Sequence, residues 1–162
     1  MKRRPLDIQS YSDRVRSGPC FICELVRGNR DYAHVTVFED KDTIVFLNKY
    51  PTLLGYFLVV PKAHREDLVT DLTESEYLNL QAVVYRVAGA LKRVIPTERI
   101  YVLSLGSKDG NSHVHWDVAP LPPGVPYEQQ QFHALMAENG VLDIPSAKMT
   151  EIAQNISKVM RE

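Results

Sequence analysis

The sequence predicts an α+β fold, in which an antiparallel sheet of about five strands carries one long helix and additional C-terminal helices. Three short runs rich in β-branched and aromatic residues come first, a long segment of helical period follows, and two more such runs come after it. The chain has 162 residues, 44% of them hydrophobic, which suits one domain with a sizeable core. We therefore expect a single domain over residues 1–162.

The first 15 residues form a polar lead-in. They begin with the basic run "MKRRPL", and no apolar stretch follows that could serve as a signal peptide or cross a membrane. We expect a frayed terminal segment and a cytoplasmic protein. The formal net charge of -1 gives no sign of a nucleic-acid footprint, so neither nucleic acid nor a membrane is expected as a partner.

Three predicted strands precede the helix. They are "YAHVTVFED" (32–40), "DTIVFLNKYP" (42–51) and "GYFLVVP" (55–61). Gly55 opens the third strand and Pro61 closes it. Short connections between successive strands are typical of an antiparallel meander.

The segment 71–95 changes to a helical period. Five positions show the spacing: Leu78, Ala82, Tyr85, Gly89 and Lys92. Thr73 and Glu76 have the spacing of a capping box, and Leu72 stands where a hydrophobic staple belongs. Pro96 ends the predicted helix.

Two further strands and a tail complete the chain. "RIYVLSLG" (99–106) and "HVHWDVAP" (113–120) are joined by the turn-rich "GSKDGNS". Residues 121–162 form a Pro-rich link, "PLPPGVPYEQQQ", followed by helical segments near 132–138 and 146–160. Gln129, Gln130 and Gln131 in the link either start a solvated helix or reach back to a site; we favour the solvated helix.

The last predicted strand raises the main functional question. Side chains alternate along a strand, so His113, His115 and Asp117 share one face, while the valines and tryptophan between them face the core. This pattern fits a functional site, and it also fits a polar face that merely meets water. The histidine pair alone does not decide between them.

Two cysteines suggest a metal. Cys20 and Cys23 in "GPCFICEL" have the spacing with which two thiolates hold one zinc ion, and the same spacing also suits a redox pair or two small buried residues. The redox interpretation is the poorer one, because neither cysteine opens a βαβ unit. A tetrahedral site needs two more ligands, for which His64 and His113 are candidates and His34 is a competitor.

The blocks "CFIC", "FLNKYPTLLGYFLVVPKAH" and "HVHWDVAP" together resemble the histidine triad superfamily, over about residues 19–120. Its signature is three histidines that alternate with hydrophobic residues on one strand. The resemblance implies a histidine triad-like fold, a homodimer and a small-molecule nucleotide substrate. It also implies a structural zinc ion, held by Cys20, Cys23, His64 and His113 as in zinc-bearing members and in the related galactose-1-phosphate uridylyltransferases.

The resemblance makes His115 the nucleophile. Its imidazole would attack the α-phosphorus of a nucleotide and expel the group beyond it, leaving a nucleotidyl-histidine for water or another acceptor to resolve. A neutral imidazole suits this role near pH 7. We expect the loop "GSKDGNS" to bind phosphate through backbone N–H groups and through Lys108, Asn111 and Ser112. An ordinary hairpin turn is the alternative for this loop.

Fewer residues of the sequence indicate how a nucleoside would be recognised. Asn48 matches the position where the family places an Asp or Asn against the ribose hydroxyls. Phe46, Leu47 and Leu58 would wall the base, or they belong to the core.

Asp117 departs from the family pattern, because it stands where the third histidine belongs. An ionised aspartate accepts hydrogen bonds only and adds negative charge beside an anionic substrate. One account is a protonated Asp117 that donates. A second is a transferase like the uridylyltransferases, which carry glutamine there. The third account is a weakened or inactive site, which would make the chain a zinc-stapled nucleotide-binding module with little or no catalysis.

Overall fold

A five-stranded antiparallel sheet forms the centre of the molecule, and it confirms the predicted α+β class. The computed structural model describes residues 1–162. The elements, numbered in chain order, include a short strand β1 (Arg3–Arg4), β2 (Thr36–Glu39), β3 (Thr43–Leu47), β4 (Phe57–Pro61), β5 (Arg99–Leu103), β6 (Trp116–Leu121) and a short strand β7 (Val141–Leu142). The order in the large sheet is β2-β3-β4-β6-β5, so the first three strands form the predicted meander and β5 is an edge strand.

Two long helices cover one face of this sheet. The helix α3 (Glu74–Val94) begins with the predicted capping box: Thr73 Oγ1 accepts from the Glu76 N–H at 3.2 Å, and the Glu76 carboxylate accepts from the Thr73 N–H at 2.7 Å. The C-terminal helix α5 (Ser146–Met160) has the bounds that the sequence predicts. Both helices contribute to a core of 19 buried residues with the sheet.

The predicted spacing picked out the solvent face of α3. The residues that α3 buries are Leu80, Val83, Val84, Val87, Ala90 and Leu91. Leu78 and Tyr85, which carried the prediction, are 56% and 82% exposed. The helix α3 carries apolar residues of its own on both its buried and its exposed face. Both stripes have helical period, so periodicity alone does not tell which one is buried.

The expectation of a frayed lead-in over residues 1–15 is wrong. Strand β1 pairs with β7, and the Arg3 guanidinium donates to the carbonyl oxygens of Gly140 at 2.7 Å and Thr52 at 2.9 Å. A helix, α1 (Ile8–Ser17), follows, and Asp7 caps it by accepting from the Ser10 N–H at 3.0 Å.

The tail differs from the prediction in one segment. The expected helix at 132–138 is divided into α4 (Phe132–Leu135) and a 3₁₀ turn (Ala137–Asn139). Gln131 is exposed and is the N-cap of α4, as the favoured prediction of a solvated helix start expects. Its N–H donates to the Tyr101 hydroxyl at 2.9 Å, and the Gln130 side chain donates to the Val125 carbonyl oxygen at 2.8 Å. No helix of this chain combines the length and the apolar character needed to span a membrane.

The opposite face of the sheet carries a smaller apolar cluster. Ile44, Phe46, Leu58 and Val60 lie on this face, and Ile22 from the short helix α2 (Phe21–Val26) packs on them. The polar side chains of the predicted site lie beside this cluster, so the sheet separates the main core from the site.

Candidate active site and metal centre

The row of His113, His115 and Asp117 has the predicted facing but different strand bounds. β6 begins at Trp116, so both histidines lie in the extended segment before the strand. The alternation continues through this segment: the intervening Val114 and Trp116 are in the main core. His115 Nε2 lies 3.6 Å from Asp117 Oδ2, so these two side chains share the other face. All three polar residues are buried.

The hydrogen bonds of His115 fix its tautomer. Its Nδ1–H donates to the carbonyl oxygen of His113 at 2.7 Å, so in the neutral ring Nε2 keeps its lone pair. The Ser104 hydroxyl donates to the His115 carbonyl oxygen at 2.7 Å and holds the backbone there. Gly106 allows the neighbouring loop to close on the ring, because a Cβ at that position would lie 2.9 Å from the Asn111 carbonyl oxygen and 3.7 Å from His115 Cε1.

The surroundings of Asp117 shift the pKa of its carboxyl in opposite directions. Burial raises the pKa of its carboxyl, while His115 and the hydroxyl of Tyr56 lower it. Tyr56 is itself buried, and burial together with the nearby Asp117 raises the pKa of its phenol. Tyr56 is not among the predicted site residues. Leu58 pairs with Asp117, and Tyr56 shares the face of Leu58 by alternation, so the strand register, which the sequence does not show, brings Tyr56 and Asp117 to one face.

Cys20, Cys23, His64 and His113 meet in one cluster, as the resemblance implied. One ligand atom from each residue lies within 4.8 Å of the others. The Cys20 Sγ–His113 Nδ1, Cys23 Sγ–His64 Nδ1 and Cys23 Sγ–His113 Nδ1 distances are 3.4, 3.3 and 3.7 Å. A tetrahedral ion with usual zinc bond lengths separates a sulfur from a nitrogen ligand by about 3.6 Å. The donor set and its spacing therefore fit a four-coordinate metal.

The surroundings of the cluster orient both imidazoles for this role. His113 Nε2–H donates to the Pro61 carbonyl oxygen at 2.8 Å, and His64 Nε2–H donates to Glu66 Oε1 at 3.0 Å. Each ring therefore turns Nδ1 toward the sulfurs, and such outer hydrogen bonds are usual for metal-binding histidines. Burial lowers the pKa of His113 to about 4, which keeps this ring neutral. Burial and the neighbouring Cys20 raise the pKa of Cys23 to about 11 without a cation, so a bound metal would favour the thiolate.

His34, the competing ligand, lies outside this cluster. Its Nδ1–H donates to the Tyr32 carbonyl oxygen at 2.7 Å. The ring packs between aromatic side chains, with centroids 5.6 Å from Phe21 and 4.9 Å from Phe46. His34 is thus part of the apolar wall of the site.

A cavity of about 950 Å³ joins these groups. His115 and Asp117 line it together with the four predicted substrate-binding residues: Asn48, Lys108, Asn111 and Ser112. Of the residues proposed to wall a base, Phe46 and Leu58 line the cavity, whereas Leu47 lies in the main core on the other face of the sheet. None of the three link glutamines lines this cavity.

Three of the four predicted substrate-binding side chains already have hydrogen-bond partners in the structure. Asn48 Oδ1 accepts from the Tyr50 N–H at 2.8 Å, which shapes the turn after β3. Asn111, in the left-handed region at φ 52°, donates through Nδ2 to the Tyr11 hydroxyl at 3.0 Å. The Ser112 hydroxyl donates to Glu66 Oε1 at 2.9 Å and so supports the metal cluster. Lys108 is exposed and makes no ion pair.

Helix α1 also contributes residues that are absent from the predicted site. Tyr11, Arg14 and Arg16 line the cavity, because α1 lies across the loop 106–112. A frayed terminus, as expected from the sequence, would not bring these side chains to a site. Their signal was a short helical spacing of Ile8, Tyr11 and Val15 after the capping Asp7.

Comparisons with known proteins agree with this architecture. The family model of the HIT domain matches residues 29–122, more than half of the chain. An uncharacterised HIT-like protein of Saccharolobus solfataricus is 29% identical over 104 residues, which are 62% of this chain and 73% of that protein. The adenosine 5'-monophosphoramidase hnt1 of Schizosaccharomyces pombe is 26% identical over 132 residues, which are 74% of this chain and 94% of that protein. A Zn-bound histidine triad family protein from Mycobacterium smegmatis has a similar fold, with a TM-score of 0.69 and 21% identity over 88% of this chain and 93% of that one.

Proposed function

This chain belongs to the HIT family, and we propose that it binds a nucleotide in the 950 Å³ cavity and cleaves the bond between the α-phosphate and the group beyond it. The reaction would pass through a nucleotide covalently attached to His115. Water or a second acceptor would then take the nucleotide, which makes the protein a hydrolase or a nucleotidyltransferase. The likeness to a protein named as an adenosine 5'-monophosphoramidase supports this reaction class.

The tautomer of His115 is the observation that carries the proposal. Its Nδ1 proton is engaged by the His113 carbonyl oxygen, so the lone pair on Nε2 is available at a cavity wall. An activated nucleophile with an orienting hydrogen bond on its other nitrogen is the arrangement that covalent catalysis requires. Because Nδ1 keeps its proton throughout, the attack needs no separate base.

The proposed reaction has two displacements. In the first, the Nε2 lone pair forms a bond to the α-phosphorus, and the bond from phosphorus to the leaving group breaks with its electron pair on that group. In the second, the oxygen of water or of another acceptor attacks the same phosphorus, the N–P bond breaks with its electron pair returning to Nε2, and Nε2 takes up the proton that the acceptor loses before releasing it to solvent. Lys108, which lines the cavity, would stabilise the phosphate oxygens together with backbone N–H groups of the loop 106–112 that are not bonded within the loop.

Asp117 supports a second candidate function, a nucleotide-binding module with little catalysis. Asp117 Oδ2 lies 3.6 Å from the proposed nucleophilic nitrogen. An ionised carboxylate there repels an incoming phosphate and can pair with a protonated His115. A protonated Asp117 would instead donate to a phosphate or leaving-group oxygen, and burial favours that form.

For the metal cluster we propose a structural zinc ion. When bound, the ion would hold Cys20 and Cys23 of the α2 segment against His113 and His64, which come from two different parts of the chain. Four protein ligands fill a tetrahedral site and leave no position for water, so the ion would stabilise the fold. The fold neighbour described as Zn-bound supports this choice of metal.

We also propose that the protein is a homodimer that pairs through β5 and α3. β5 is bonded to β6 on one side only, so its other edge is free for a second strand. Val102 on this strand is 45% exposed and pairs with Val118, whose side chain is in the helix-covered core. Leu78 and Tyr85 are further exposed apolar side chains, on the solvent side of α3, which covers that face of the sheet. The cytoplasmic location expected from the sequence stays a prediction.

Product analysis by mass spectrometry tests the proposed reaction. The parent protein is incubated with a nucleoside phosphoramidate, a dinucleoside polyphosphate and a nucleotide sugar, and His115→Ala is assayed in parallel. Release or transfer of a nucleoside monophosphate by the parent and not by His115→Ala is the expected result. His133→Ala is the matched control, because His133 is exposed and lies outside the cavity. Equal product from the parent and His115→Ala would refute the role of His115, and binding without product would favour the binding module.

A further inference from the structure

The strand register relates the apolar end of the cavity to the proposed reacting centre. Phe46 pairs with Leu58, and Leu58 pairs with Asp117, so these three side chains form one row across three strands on the same face of the sheet. Neighbouring strands are about 4.8 Å apart, which places the backbone of Phe46 roughly 10 Å from that of Asp117. A nucleotide whose phosphate meets His115 would therefore extend its base along this row to Phe46.

One polar ring belongs to the aromatic wall at this end of the cavity, which consists of Phe21, His34, Phe46 and Leu58. All four residues line the cavity, and the three apolar ones belong to the smaller apolar cluster. The His34 ring packs against both phenylalanines, with centroids 5.6 Å from Phe21 and 4.9 Å from Phe46. Aromatic side chains of this kind stack well on a flat base, and His34 adds a polar atom to their surface.

The hydrogen bond of His34 leaves its other ring nitrogen free to accept. Nδ1–H donates to the Tyr32 carbonyl oxygen at 2.7 Å, so in the neutral ring Nε2 carries the lone pair. Burial, together with the charge of Lys49, lowers the pKa of His34 against the opposite effect of the bond to Tyr32, so the ring is neutral at pH 7. Nε2 has no hydrogen-bond partner within the protein and remains accessible to solvent. A bound ligand can therefore reach an acceptor in the aromatic wall.

An acceptor without a proton distinguishes bases by their donors. Adenine, guanine and cytosine carry an exocyclic amino group that projects from the edge of the base, whereas a carbonyl oxygen in that place would face the lone pair of Nε2. We propose that His34 Nε2 accepts a hydrogen bond from the exocyclic amino group of the bound base, so that the site prefers a nucleotide with this group over the same nucleotide without it. This inference rests on the proposed function, because it requires the phosphate of the nucleotide to lie at His115.

Isothermal titration tests the preference with two pairs of ligands that differ by one amino group. AMP is compared with purine riboside 5'-monophosphate, which lacks the 6-amino group, and GMP is compared with IMP, which lacks the 2-amino group. None of these ligands carries a group beyond the α-phosphate, so no turnover disturbs the titration. In the parent we expect the amino nucleotide of at least one pair to bind about fivefold more tightly, as one neutral hydrogen bond allows. In His34→Phe, which keeps an aromatic ring but has no acceptor, the margin should fall below about twofold.

Asp31→Asn is the matched control. Asp31 lines the same cavity and lies on the same segment as His34, so its carboxylate is the other acceptor that could meet a base there. The margin should persist in Asp31→Asn. Equal affinities within both pairs for the parent, or a margin that His34→Phe retains, would overturn the inference. Loss of the margin in both variants would also overturn it, since the preference would then not depend on one contact.

These affinities separate the inference from the proposed reaction. A preference for the amino nucleotide that depends on His34, without turnover of any substrate, would support the inference and refute the proposed reaction alone. Turnover through His115 by a protein that shows no such preference would refute the inference alone. Failure of the parent to bind any of the four nucleotides would refute both. The comparison of ligands in the parent does not depend on the folding of any variant.

Discussion

Asp117 is the residue on which the chemistry of this site depends most. It replaces a histidine that could donate a proton, and it lies 3.6 Å from the nitrogen that we propose as the nucleophile. Its carboxyl is buried beside Tyr56 and His115. Burial raises the pKa of this carboxyl and the two neighbours lower it, so the balance between them sets its ionisation state. Activity and stability should therefore both respond to substitutions at this position.

Replacing Asp117 by histidine should raise turnover. A neutral histidine removes the negative charge beside the substrate and restores a donor to the leaving group, so we expect kcat for a nucleoside phosphoramidate to rise by about tenfold or more, toward the roughly 10²-fold lower end for one acid–base group. Steady-state kinetics of Asp117→His against the parent measures this, and Asp117→Asn separates removal of the charge from addition of an acid. A rate for Asp117→His that is equal to or below the parent rate would show that this residue lies outside the reacting centre.

Asp117→Asn should stabilise the protein at high pH. Burial raises the carboxyl pKa in the folded state, so the ionised form destabilises the fold above that pKa, and the cost disappears as the pH falls through it. The Tm of Asp117→Asn should therefore exceed that of the parent at pH 8, with a smaller difference at pH 4. Thermal melts followed by circular dichroism across this range provide the measurement. A gain that grows toward low pH would contradict a raised pKa.

At the residue scale, alternation along an extended segment was enough to place the polar row on one face. It predicted that His115 and Asp117 lie together although β6 begins only at Trp116, because the segment before the strand is also extended. Periodicity carries no information about distant residues. Arg14, more than 90 positions away, enters the site because α1 packs on the loop 106–112 and on Tyr50, and these are tertiary contacts.

Helix α1 shows why an element can be present in the sequence and still be overlooked. Asp7 caps the helix and Gly18 follows its end, as helix signals require, but none of its residues is buried. A helix of ten residues is marginal alone and depends on tertiary contacts for stability. Those contacts involve the loop 106–112 and Tyr50, so the sequence near α1 gives little sign of them.

The stability of the α2 segment in its folded position should depend on the bound metal. Cys23→Ser removes one of four ligands, so we expect zinc to fall from about one ion per chain to a small fraction of that, and Tm to fall by about 5 °C or more. Elemental analysis by mass spectrometry and thermal melts measure the two effects. His34→Phe is the comparison variant: it should keep the zinc, because His34 packs between aromatic rings outside the cluster. Loss of zinc from His34→Phe with retention in Cys23→Ser would overturn the ligand assignment.

On the scale of the whole molecule, the sheet separates the main hydrophobic core from the proposed active site. One face packs on α3 and α5 to form the main core, and the other supports the metal cluster, His115 and the cavity. The sequence predicted the class, the meander and the long helix because each depends on local pattern. It did not identify the buried face of α3, since Tyr85 lies on an equally periodic stripe that remains exposed.

That exposed stripe leads to a prediction on oligomeric state. Size-exclusion chromatography with light scattering should give the mass of two chains for the parent and of one chain for Tyr85→Glu/Val102→Glu, since burying these carboxylates between protomers is costly. Val69→Glu is the control, because Val69 is 84% exposed and lies on neither β5 nor α3. A monomeric parent, or a dimer unaffected by the double substitution, would contradict pairing through this face.

The account depends centrally on a covalent bond between His115 and the substrate. The most direct measurement mixes the protein with excess diadenosine triphosphate, quenches the reaction in alkali, where the N–P bond survives, and determines the intact mass and the modified peptide. We predict a mass increase of one nucleoside monophosphate less one water, located on His115 and absent from His115→Ala. Turnover by the parent with no adduct at any quench time, together with equal turnover by His115→Ala, would contradict the account.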